Sequence, residues 1–140
     1  MPKKTKRIKM YSELSNLYAQ CFPDKKHKWD NNDFADLKKS GCDIIFSQNS
    51  FIVWRVTADE AEIISIGVAP IARRTGTGTA LLQLVENDAK KAGAKTIFLE
   101  VDEANFPAIS LYSKNGFTNI GTRPHYYENG NDAIIMKKDI

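Results

Sequence analysis

A chain of 140 residues, 42% hydrophobic and 26% charged, has the size and composition of one folded domain and not of a disordered or fibrous protein, so residues 1–140 are expected to form a single domain. Its two cysteines, Cys21 and Cys42, come without clustered histidines, which excludes a disulfide framework or zinc site and fits reduced thiols in a cytosol. The net charge of +3 is uneven, with ten of the twenty Lys and Arg but only five of the seventeen acids in the first forty residues.

The basic segment 1–9 and the run Lys25, Lys26, Lys28 suit either a solvated surface or an acidic partner such as ribosomal RNA. No apolar stretch is long enough for a signal-peptide core or a membrane span. The expected location is therefore the cytoplasm, with neither DNA nor a membrane among the partners.

From Tyr11 the apolar residues Leu14, Leu17, Tyr18, Cys21 and Phe22 recur every three or four positions, which predicts an amphipathic helix with Ser12 placed as its N-cap and Pro23 as its stop. A second short helix starts near Asn31 or Asn32, buries Phe34 and Leu37, and ends at Gly41. Segments 43–47, 51–57 and 61–68, rich in β-branched and aromatic residues and separated by turn formers, read as an antiparallel meander. After Pro70 the period becomes helical through Ala80, Leu81, Leu82, Leu84, Val85 and Ala89 to Gly93, and 95–101 is the next strand. A helix joining two strands requires them to run parallel, so the sheet is mixed. A short helix over 107–114 and strands 117–122 and 133–138, flanking a turn-rich 128–132, complete the chain.

The most informative segment is Arg73-Arg74-Thr75-Gly76-Thr77-Gly78-Thr79, set between a strand and a helix start. Glycines there let backbone N–H groups converge, the helix terminus adds positive potential, and two arginines add charge, which together suit a pyrophosphate. The spacing matches neither a Walker A loop nor a dinucleotide fingerprint, so ATP and NAD are not expected. A plain helix entry is the alternative reading of this loop.

Arg73-x-x-Gly76-x-Gly78 resembles the acetyl-CoA signature of the GNAT N-acetyltransferase superfamily. Ile66-Gly67-Val68-Ala69-Pro70, Leu99-Glu100-Val101, Asn105-x-x-Ala108-Ile109-x-Leu111-Tyr112 and Asn115-Gly116-Phe117 follow in that family's order and spacing. Arg123-x-x-Tyr126-Tyr127 and Asp132-Ala133-Ile134-Ile135-Met136 are similar to its RimI-type branch, which acetylates protein N-termini, a small-subunit ribosomal protein among them.

The resemblance covers residues 11–137 and implies an α/β (α+β) GNAT fold, a mixed and mostly antiparallel sheet of six to seven strands with a central splayed parallel pair and about four helices. It implies acetyl-CoA as co-substrate, held by the backbone of Ile66, Gly67 and Val68, by Arg73, Arg74, Thr75, Gly76, Thr77, Gly78 and Thr79, and by Asn105, with the Val68 N–H also facing the thioester carbonyl. It implies Glu100 as general base and Tyr112 as general acid, with Arg123, Tyr126 and Tyr127 along the path of a protein or peptide N-terminus. No metal is implied, since the acyl group arrives activated.

Alternatives stay open at this point. Tyr112 also suits a plain core position, and Tyr126 and Tyr127 suit hairpin packing. The acceptor also reads as a small amine or a lysine side chain, and a non-catalytic acyl-CoA sensor or ribosome-associated module is the reading from another class. Two departures from the branch, residues 24–28 and Pro124, fall near the expected acceptor entrance.

Overall fold

The computed structural model describes residues 3–140, with side-chain surroundings from Lys9 onward. The side chains of most of the basic segment 1–9 thus lie outside the described residues. The elements run α1 (Lys3–Cys21), α2 (Asn31–Lys39), β1 (Asp43–Phe46), β2 (Ser50–Thr57), β3 (Glu60–Val68), a 3₁₀ turn (Pro70–Ala72), α3 (Thr77–Lys91), β4 (Thr96–Asp102), α4 (Phe106–Lys114), β5 (Thr118–Arg123) and β6 (Ala133–Asp139). Six strands form one sheet in the order β1-β2-β3-β4-β6-β5. Two compact units are distinguishable, Met1–Val53 with Ser65–Gly78, and Trp54–Ile64 with Thr79–Ile140.

In the first unit, α1 begins eight residues before the predicted start, so Ser12 lies inside the helix and does not cap it. Lys, Arg and Met are good helix formers without being apolar signposts, and periodicity alone passes over such a turn. The Ser12 hydroxyl instead accepts from Asn31 Nδ2 at 3.1 Å, and Ser15 donates to Asn31 Oδ1 at 2.6 Å, which fastens α1 to the start of α2. There Asp30 and Asp33 form a reciprocal capping box, each carboxylate accepting the other's N–H at 2.9 Å.

The core of this unit is aromatic. Tyr18 stacks on Trp29 at 5.0 Å between centroids, while Phe34 and Phe51 meet Tyr18 at 6.1 and 5.8 Å. Lys25, within the 24–28 departure, reaches back to donate to the Tyr18 hydroxyl at 3.2 Å. Gly67 in β3 lies so close to this core that a Cβ would stand 2.3 Å from Phe51 Cε1 and 3.0 Å from Cys21 Sγ.

In the second unit, β3 and β4 run parallel from Glu60↔Thr96 to Ile63↔Leu99, as a helical connection requires. On its other side β4 pairs antiparallel with β6 from Thr96↔Asp139 to Asp102↔Ala133. Strand β5 therefore pairs with β6 and not with β4, through a register shift between Asn119 and Gly121. Ile97, Leu99 and Val101 are buried on one face of β4, which sets Phe98, Glu100 and Asp102 on the other. Lys138 of β6 pairs with Glu86 of α3 at 3.0 Å, and Asn115, the C-cap of α4, donates to Thr79 Oγ1 at 3.3 Å.

Candidate active site

The segment after β3 is shaped by its backbone. Arg74 and Gly76 hold φ of 61° and 82°, a left-handed conformation that costs glycine little and other residues more. A Cβ on Gly76 would meet nothing within 4 Å, so conformation and not crowding calls for glycine there. Arg73 is committed to the backbone, donating from Nε to Val68 O at 3.0 Å and from an Nη to Cys21 O at 3.2 Å. It ties the loop to the ends of β3 and α1, while Arg74 is exposed. The Thr75 hydroxyl bonds to Ala72 O and lies 2.8 Å from that of Thr77, where α3 begins without any acid in its first turn. The first-turn N–H groups lack helical partners, so loop and helix present donors and an exposed guanidinium together, a fit for a pyrophosphate.

In the second unit Glu100 stands on the open face of β4, with one carboxylate oxygen 2.7 Å from Arg123 Nε. The pair lines a groove of about 400 Å³ together with Phe98, Ile135 and a second ion pair, Arg55 with Glu62 at 3.0 Å. The Arg123 guanidinium also sits 5.7 Å from the Tyr126 ring centroid, and Tyr126 meets Tyr127 edge-on at 5.1 Å.

Tyr127 joins the members of this cluster electrostatically. Partial burial, and then the charges of Glu100 and Asp102, push its phenol up to about 12. Tyr112, 5% exposed on α4, has its pKa raised well above the usual phenol value, chiefly by burial and further by Tyr127. It therefore stays protonated throughout the neutral range. Its ring packs on Phe117 at 5.9 Å, so the core contact and the held proton belong to the same residue. Asn105 caps α4, its side-chain oxygen accepting from Ala108 N at 3.3 Å.

The family described as acetyltransferase (GNAT) matches residues 11–117. The chain belongs to the GNAT acetyltransferase family. It is 39% identical over 90 residues, 62% of this chain and 61% of the relative, to the ribosomal protein bS18-alanine N-acetyltransferase of Escherichia coli (strain K12). It is 42% identical over 78 residues, 55% of this chain and 47% of the relative, to an N-alpha-acetyltransferase of Sulfurisphaera tokodaii. The crystal structure of the ribosomal-protein-S18-alanine N-acetyltransferase from Escherichia coli superposes with a TM-score of 0.79 at 29% identity, covering 91% of this chain and 86% of that one. The chain thus spans about three-fifths or less of the length of these two curated relatives.

Within this GNAT chain, the residues singled out in the sequence fall into two groups. Ile66, Gly67, Val68 and the loop from Arg73 to Gly78 belong to the first unit. Thr79, Glu100, Asn105, Tyr112, Arg123, Tyr126 and Tyr127 belong to the second, where the Glu100–Arg123 pair, the Arg123–Tyr126 contact and the Tyr126–Tyr127 contact link four of them in a chain. Sequence reasoning passed over Asp102, which accepts from Asn129 and Asn131. The available signal was its place two residues after Glu100, on the same face of a strand. Both histidines, His27 and His125, are exposed. Among the described residues no group of three or more His, Cys, Asp or Glu is placed to hold a metal, and no helix is long and apolar enough to cross a membrane.

Proposed function

We propose that this chain transfers the acetyl group of acetyl-CoA to an amine, and that the acceptor is the N-terminal α-amine of a protein, a ribosomal protein among the candidates. The observation that carries the reading is the carboxylate of Glu100 on β4, paired with Arg123 which reaches Tyr126, in a chain of the GNAT family that also holds a buried phenol, Tyr112, on α4. The similarity to relatives named for N-terminal acetylation supports the choice of acceptor.

In this reading the arginine and N–H donors from Arg74 to Thr79 grip the pyrophosphate, the strand end Ile66–Val68 pairs with the pantetheine amides, and Asn105 adds a polar contact. Arg73 serves by holding the loop to β3 and α1. An α-amine has a pKa of about 7.7 to 8.0 and arrives largely protonated at neutral pH. Glu100 takes that proton, directly or through water, and the freed lone pair forms the N–C bond at the thioester carbonyl. The Val68 N–H stabilises the oxyanion, and as the C–S bond breaks Tyr112 gives its proton to the leaving thiolate. Arg123 leaves Glu100 as the cationic amine arrives and, with Tyr126 and Tyr127, lines the acceptor's path.

The test is release of CoA thiol from acetyl-CoA with short peptides bearing free N-termini, lysine peptides with blocked N-termini, and small amines. Turnover of free N-termini is expected. Turnover of small amines or lysine alone would reassign the acceptor, and acetyl-CoA binding without turnover would make the chain a sensor.

A further inference from the structure

The loop 124–132 carries Tyr126 and Tyr127, and side chains of the β4 end hold both of its limbs. At the start of the loop Glu100 pairs with Arg123. At its end Asp102, on the same strand face, accepts from Asn129 Nδ2 at 2.9 Å through one carboxylate oxygen and from Asn131 Nδ2 at 3.0 Å through the other. The carbonyl of Asn131 in turn accepts the Tyr127 N–H at 3.2 Å, and the Tyr127 carbonyl accepts the Gly130 N–H at 2.9 Å. Asp102 also accepts the Ala104 N–H at 2.9 Å, which joins the clasp to the entry of α4. Next to it, Glu103 accepts from Asp132 N at 2.9 Å and donates its own N–H to Asp132 O at 3.0 Å.

We propose that Asp102 is a positioning residue whose carboxylate fastens the loop 124–132 and thereby sets Tyr126 and Tyr127 beside Glu100 to receive the acceptor; the acceptor role rests on the acetyl-transfer reading above. The chemistry demands a carboxylate. Both oxygens accept amide N–H groups, whereas an asparagine of the same shape offers one acceptor and turns its own NH₂ against one of those donors. Hydrogen bonds to an ionised group are also the stronger kind.

The decisive comparison is native protein against Asp102→Asn, read by hydrogen exchange and by acceptor kinetics. Loss of the clasp is expected to speed exchange at Tyr127, Gly130 and Asn131 about tenfold to a hundredfold, the scale of a lost charge-assisted bond, while β3 amides keep their rates. The acceptor's kcat/KM should fall by about ten- to a hundredfold, mainly through KM, with half-saturation by acetyl-CoA unchanged. Asp102→Glu should recover part of the loss, and Asn131→Ala should add less in the Asp102→Asn background than alone. Should Asp102→Asn fail to fold, the surface change Asn129→Ala with Asn131→Ala makes the same comparison. Unchanged exchange at 127–131 would overturn the clasp, and faster exchange with unchanged acceptor kinetics would overturn the positioning role. A native protein that acetylates no amine would remove the acetyl-transfer reading and the acceptor role with it, while exchange still decides whether Asp102 holds the loop.

Discussion

Glu100 and Tyr112 divide the proton traffic of the proposed reaction, and their surroundings suit the division. Glu100 is three-quarters covered yet keeps a cation at 2.7 Å, a place that another cation, the acceptor's ammonium, can take. Glu100→Gln keeps the shape and removes the base, so kcat/KM should fall by about 10²- to 10⁴-fold while calorimetric binding of acetyl-CoA persists. Loss of that binding as well would point to a structural role. Tyr112 is 5% exposed, and its burial raises the phenol's pKa. Tyr112→Phe should therefore lower kcat by about a hundredfold at every pH from 6 to 9, with the profile's shape unchanged, because the native phenol does not titrate there. A native alkaline limb that disappears in the variant would contradict this assignment.

At the scale of the element, Gly67 shows how packing and the proposed cofactor contact meet in one residue of β3. Phe51 and Cys21 leave no room for a methyl, and Phe51 is a fully buried ring that cannot swing aside. Gly67→Ala should cost about 1 to 3 kcal/mol in urea unfolding, the usual range for overpacking, and Gly67→Ala with Phe51→Leu should regain part of it. An unchanged midpoint would mean that the strand yields easily. The resemblance singled out Gly67 as a backbone contact for acetyl-CoA, whereas its steric reason lies underneath, in two side chains distant in sequence. The same limit marks what else was legible. Strands β1 to β4 and helices α2 to α4 follow from period, caps and glycine stops, since these are local. The first two turns of α1 carry no apolar stripe, so nothing announced them. The insertion of β6 between β4 and β5 is a long-range pairing, from Thr96↔Asp139 to Asp102↔Ala133, and it is what brings Asp102 opposite Ala133 and within reach of Asn129 and Asn131. The turn-rich 128–132 was readable as a turn, but its fastening was not.

For the molecule as a whole, the groups that resist ionisation imply a direction of pH dependence. Burial pushes the Cys21 thiol up to about 11, partly offset by Arg73, and Tyr127 stands at about 12, with Tyr112 raised further. In an unfolded chain thiols ionise near 8.5 and phenols near 10. Between those values and the folded ones the native state keeps protons that the unfolded state releases, so stability is fully present below about pH 8.5 and declines as pH rises toward 12. The urea midpoint should therefore be flat with respect to these groups from pH 7 to 8 and fall from pH 9 upward. Cys21→Ala, whatever it costs at pH 7 through the cavity it leaves, should flatten the fall between about pH 9 and 11, because the titrating group is gone. Tyr127→Phe should flatten it only above about pH 10. The separation of those two windows is the diagnostic, because a slope unaffected by either substitution would mean that neither Cys21 nor Tyr127 keeps its proton by folding.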